Sequence, residues 1–240
     1  MKSVVYWWKL YGVMNIDIDI PDINIDFDVA IGSDDINSRY TNPKKYNGIK
    51  QKHVKYSHAL KMAQEINISN DERIDCLVSG NFIFGDFIEA FFVENDIHTE
   101  RLVLSTLSMS QNNIDSLKTL MLLGYVDKLD IVISTFFYGM ERHLLMPYLY
   151  QELDFDDRLQ VAVAAVHTKV LLFKSDGGKH VTINGSANLR SSMNIETFSI
   201  EENKDTYDFH LDYHEKLIDK YKTINKQKPP KRGDLWGVVK

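Results

Sequence analysis

Cysteine is nearly missing from this chain, and that scarcity removes a class of structure. Cys76 is the only one in 240 residues, so no internal disulfide can form, and a hydrophobic fraction of 44 % must supply the core without a staple. A reducing compartment follows as the expectation, with the cytoplasm as the default location. Long apolar runs are lacking too. No stretch approaches the roughly 18 uninterrupted apolar residues of a membrane-spanning helix, and the N-terminus, with Lys2, Trp7, Trp8 and Lys9, has no signal-peptide core. Positive charge is in deficit: a net charge of −6 argues against a protein that coats nucleic acid indiscriminately. Room remains for a local basic groove, because Lys44, Lys45, Lys50, Lys52 and Lys55 cluster, as do Lys226, Lys228, Lys231 and Arg232.

What is present has a clear rhythm. Over residues 4–31 Ile16, Ile18 and Ile20 alternate with aspartates, and Ile23, Ile25, Phe27 and Val29 continue after a phase slip at Pro21, which predicts two strand segments around a bulge or turn. The aspartate row lacks the glycine-centred spacing of a calcium loop and reads as a solvent face. Residues 33–52 read as loop and 55–66 as a helix, with His53 and His58 beside it. From residue 73 strands and helices alternate: strands at 73–79, 101–107, 129–134 and 159–166, helices at 84–93, 113–123 and 139–149. That order predicts a mixed, largely parallel sheet with helices on both faces. The run Val161-Ala-Val-Ala-Ala-Val166 is apolar on both faces and predicts a central buried strand. A hairpin follows, Val170–Phe173 and Val181–Asn184 around Ser175-Asp-Gly-Gly178. Residues 207–223 read as helix and 227–233 as an extended arm. The predicted division is a β-rich extension with one helix over 1–70, an α/β domain over 71–225 and a basic arm over 226–240.

The chemistry gathers after the last long strand. His167 and Lys169 stand two apart, so an extended backbone points both side chains to one face. An imidazole beside a fixed cation suits an anionic phosphorus centre: the lysine neutralises charge that builds up in the transition state while the neutral ring attacks. Gly185-Ser-Ala-Asn188 comes at the end of the hairpin's return strand. Ser186 and Asn188 offer neutral donors for phosphate oxygens, and Gly185 permits a close backbone approach. Glu196 supplies a carboxylate to accept from the second imidazole nitrogen and fix the ring.

His167-Thr-Lys169, Gly185-Ser-Ala-Asn188 and Asn194-Ile-Glu196 together resemble the phospholipase D superfamily, whose half-site reads His-x-Lys, four residues, Asp, then Gly-Ser-x-Asn. The resemblance spans about residues 70–203 in strand order. It departs at one place: Lys174 stands where the family has aspartate, and Asp176 lies two residues late. The resemblance implies a phosphodiester hydrolase of nuclease or endonuclease type, acting through a covalent phosphohistidine without metal or cofactor. His167, Lys169 and Glu196 would be its catalytic residues, and Lys169, Ser186 and Asn188 would bind phosphate. One copy of the motif implies a homodimer, since a second histidine must protonate the leaving oxygen. The implied partners are nucleic acid, DNA ahead of RNA, and a second copy of the chain, with no membrane. The alternative is a catalytically silent module that grips nucleic acid or a protein partner through the same groove. Lys174 and the unmatched first 70 residues motivate it.

Overall fold

A computed structural model describes residues 50–56, 58–78, 82–190 and 194–223, with side chains from residue 58 onward. The alternating strands expected over residues 4–31, both basic clusters' side chains and the C-terminal arm lie outside the described residues. The elements in chain order are β1 (Lys50–Tyr56), α1 (Ala59–Glu65), β2 (Glu72–Val78), α2 (Phe84–Glu94), β3 (Thr99–Thr106), α3 (Gln111–Leu122), β4 (Val126–Ser134), α4 (Thr135–Glu141), α5 (Leu145–Leu153), β5 (Leu159–Ala164), β6 (Val170–Lys174), β7 (His180–Gly185), β8 (Glu196–Glu202) and α6 (Lys204–Tyr221).

The strands form one sheet in the order β1-β2-β8-β7-β6-β3-β4-β5. Pairing is parallel at β1–β2, β3–β4 and β4–β5 and antiparallel elsewhere, so β6 and β8 oppose the direction shared by the other six. This is the mixed, largely parallel α/β sheet that the strand and helix rhythm predicts. Side chains alternate between two cores. Leu102 and Leu104 of β3 join Met62, Phe87, Ile114, Tyr138 and Leu149 from α1 to α5 on one face. Val103 joins Leu172, Leu217 and Ile218 beneath α6 on the other. Cys76 is buried in the first core, and burial pushes its thiol up to about 12, leaving it a small inert hydrophobe.

Four features depart from the sequence reading. β1, over residues read as loop and helix start, pairs along its whole length with β2. β8 has no counterpart in the sequence reading. The helix expected over 139–149 is two helices, α4 and α5, separated at Arg142–Leu144. Finally, β5 is an edge strand. It is apolar on both faces because Val161 and Val163 pack into the first core and Ala162 and Ala164 into the second, and the residues after α6 cover its open edge: Ala162 bridges to Lys222, and the Thr223 N–H donates to Val161 O at 2.8 Å. Covering an edge in this way satisfies its backbone groups and blocks further strand addition.

Candidate active site

The C-terminal ends of β3, β4, β5 and β7 meet the N-terminal ends of β6 and β8 along one margin of the sheet. In open α/β sheets the carboxyl ends of parallel strands are where ligands bind. His167, Lys169, Ser186, Asn188 and Glu196 all lie at this margin.

His167 and Lys169 sit on the irregular segment between β5 and β6, because β5 stops at Ala164. Their common orientation is set by anchors and not by a strand. The Gly185 N–H donates to Lys169 O at 3.2 Å and the Val166 N–H to Ala164 O at 2.9 Å. Lys169 Nζ lies 3.0 Å from His167 Nδ1 and donates to His167 O at 2.9 Å. An ammonium only donates, so Nδ1 accepts here and the ring hydrogen rests on Nε2. The Lys169 ammonium is pulled below the ordinary lysine range: desolvation lowers it, and the Glu196 carboxylate opposes that without prevailing.

The second half of the site is held by β7 and β8. A side chain at Gly185 would place its Cβ 2.2 Å from Thr197 O and 2.5 Å from Phe198 Cα. The glycine is therefore needed for contact with β8, whose Phe198 stacks among Phe82, Phe84 and Phe87 with ring centroids 5.0 to 6.1 Å away. The approach expected at Gly185 is thus made by protein backbone. It brings Ser186 against Glu196: the Ser186 hydroxyl donates to Glu196 Oε2, and the Thr197 N–H donates to Ser186 Oγ at 3.0 Å. Two sequence expectations change accordingly. Glu196 accepts from Ser186 and not from His167, and the Ser186 hydrogen is committed to that carboxylate. Asn188 is flanked by buried Ala187 and Leu189, and the Ser110 N–H holds Leu189 O at 2.8 Å. The Asn188 Oδ1 atom is buried and unpaired, a deficit of about 1–3 kcal/mol. A half-turn of the amide exchanges oxygen for nitrogen, so the same position can present an N–H donor to an anion.

The structure also reveals a row of polar groups beneath the site that the sequence did not signal: Thr168, Ser105 and His214. Ser105 and His214 are 109 residues apart in the chain, and a lone histidine on a helix carries no mark of such a partner. Lys174 is exposed at the far end of β6, paired with His180, about 13 Å along the strand from Val170. It forms no part of the site. Among the described residues no group of three or more His, Cys, Asp or Glu is arranged to hold a metal ion, and no helix is long and apolar enough to cross a membrane.

In fold, the chain is similar to phospholipase D-like proteins. Phosphatidylserine synthase from Haemophilus influenzae matches 64 % of this chain at 11 % identity and a TM-score of 0.45, although the match spans only 40 % of that enzyme. Nuc, a phospholipase D family member from Salmonella typhimurium, matches 62 % of this chain and 97 % of its own length at 16 % identity and a TM-score of 0.46. NucT from Helicobacter pylori matches 51 % of this chain and 80 % of its own length at 16 % identity and a TM-score of 0.38. No family model and no curated protein matches the sequence. A likeness this distant says nothing of chemistry, which rests on the residues of the site.

Proposed function

We propose that this chain hydrolyses phosphodiesters without a metal ion, through a covalent phosphohistidine on His167, and that its substrate is a nucleic acid backbone, DNA ahead of RNA. The observation that carries the reading is the lysine held 3.0 Å from the His167 ring at the same margin as the Ser186–Glu196 pair and the unpaired Asn188 Oδ1. In the resting arrangement Nε2 carries the hydrogen and cannot attack. An incoming phosphodiester resolves this by exchanging partners. Lys169 and Ser186 turn from His167 and Glu196 to the phosphate oxygens, leaving Nδ1 and Glu196 free for each other. The ring hydrogen moves to Nδ1, facing Glu196, and Nε2 gains the lone pair that forms the N–P bond. The bond from phosphorus to the leaving oxygen breaks as that oxygen takes a proton from an in-line acid. Water then cleaves the N–P bond and restores the histidine.

The in-line acid is the requirement that a single motif leaves open. We assign this acid to His167 of a second copy, across a twofold axis. The test is direct. Wild-type protein should cleave bis-p-nitrophenyl phosphate and labelled DNA in EDTA, and His167→Ala should abolish both. Activity that vanishes in EDTA and returns with Mg²⁺, or that survives in His167→Ala, would refute the proposal. Binding of DNA with no cleavage by the wild type would instead identify the silent module.

A further inference from the structure

The Thr168 side chain is bonded to β3, and phosphate binding does not explain what it does there. Its Oγ1 lies 2.9 Å from Ser105 Oγ, and Ser105 Oγ lies 2.9 Å from Nε2 of His214. His214 belongs to α6 and is fully buried, and Ser105 is buried beside it on β3. The other ring nitrogen, Nδ1, lies 2.6 Å from the carbonyl oxygen of His210. Each proton in this row has one place. A carbonyl only accepts, so Nδ1 carries the ring hydrogen; a neutral imidazole then has a bare Nε2, which takes the Ser105 hydrogen; Ser105 Oγ in turn accepts from Thr168. Burial supports the neutral ring by disfavouring imidazolium, and the bond to the His210 carbonyl opposes it only in part.

We infer that His214 is a positioning residue for the site: through Ser105 and Thr168 it fixes the backbone between His167 and Lys169 and so sets the aim of both. The segment carrying them has no strand pairing. Its backbone is tied at Val166 and at Lys169, and between those two points the Thr168 hydroxyl ties it to β3. Without it the middle of the segment can rotate about its flanking bonds. A displacement of about 1 Å in a reacting group costs up to about 10²-fold in rate. The kinetic consequence rests on the phosphodiesterase reading above, whereas the hydrogen bonds do not.

Thr168→Val removes the hydroxyl at nearly constant shape, and Thr168→Ser keeps it. The kcat for bis-p-nitrophenyl phosphate should fall about tenfold in Thr168→Val, with KM and melting temperature close to wild type, and Thr168→Ser should restore most of the loss. Full kcat in Thr168→Val, or an equal loss in Thr168→Ser, would overturn the inference. Ser105→Ala breaks the same row and takes the place of Thr168→Val if that variant does not fold. An independent readout is the ¹⁵N spectrum of the imidazoles. His214 should show a protonated Nδ1 and a bare Nε2, and the His167 ring signals should move in Thr168→Val but not in Thr168→Ser. The opposite tautomer at His214, or an unmoved His167, would overturn it. A wild type that does not cleave defeats the phosphodiesterase reading, and the imidazole spectra then still decide this one.

Discussion

Lys169→Met should slow phosphodiester cleavage by about 10²–10³-fold, the usual cost of losing one donor aimed at developing negative charge. Two interactions go at once: the cation that meets the phosphate and the contact with His167 Nδ1. The fold should stand. Lys169 lies outside every strand, is half-buried, and its side chain bonds to His167, so the change in stability should stay near the ±0.5 kcal/mol typical of surface positions. Steady-state rates and a thermal melt separate the two effects. A variant that unfolds would show Lys169 to be structural, and one that keeps its rate would remove it from the site.

Acid should destabilise the protein well before carboxylates titrate. Burial, helped by the neighbouring His214, lowers His210 from 6.5 to about 4, and burial also lowers His214. Between the folded value near 4 and the ordinary value of 6.5 the unfolded chain binds more protons than the folded one. Stability is therefore fully present above about pH 6.5 and is lost as pH falls toward 4. For His210 the full shift corresponds to about 3 kcal/mol. His98 works in the opposite sense, because bonds to the Gly124 carbonyl and Asp96 raise it, but it is exposed and solvent screens the gain. The buried pair should dominate. Urea midpoints measured from pH 7.5 to 4.5 should fall in the wild type and fall less in His210→Gln. A flat wild-type profile would contradict the neutral state of His210 and His214 in the folded chain.

The parts of the fold that the sequence disclosed are those with period and punctuation. β3, β4 and the β6–β7 hairpin carry apolar runs ended by turn residues, and Gly124 at φ +79 closes α3 as a glycine after a helix should. β1 was hidden because Lys50-Gln-Lys-His-Val-Lys-Tyr56 is mostly polar. β8 was hidden because only Phe198 and Ile200 face the large core, while Thr197, Ser199 and Glu201 alternate with them on the side of α6. The division between α4 and α5 did have a signal. Pro147 falls in the first turn of α5, where a missing N–H costs nothing, and it marks a new helix rather than the middle of an old one. β5 looked central because each of its faces packs into a core, as in an interior strand.

For the site, the spacing of His167 with Lys169 and of Ser186 with Asn188 singled out side chains that the fold carries to one margin of the sheet. Their partners were another matter. Which group Glu196 accepts from depends on how closely β7 and β8 approach at Gly185, and that distance is a property of the sheet. The support of Thr168 by His214 runs across 109 residues of chain separating Ser105 from the imidazole. Local spacing discloses groups that share one margin of a sheet; it does not disclose what holds them from behind.

The central claim is that His167 forms a bond to phosphorus, and trapping that bond tests it most directly. Wild-type protein mixed with excess bis-p-nitrophenyl phosphate in EDTA, quenched within a turnover at alkaline pH to spare the acid-labile N–P bond, and digested for peptide mass measurement should show a nitrophenyl phosphate adduct on His167, absent from His167→Ala. Turnover with no adduct on any residue, or an adduct on another residue that persists in His167→Ala, would contradict the account.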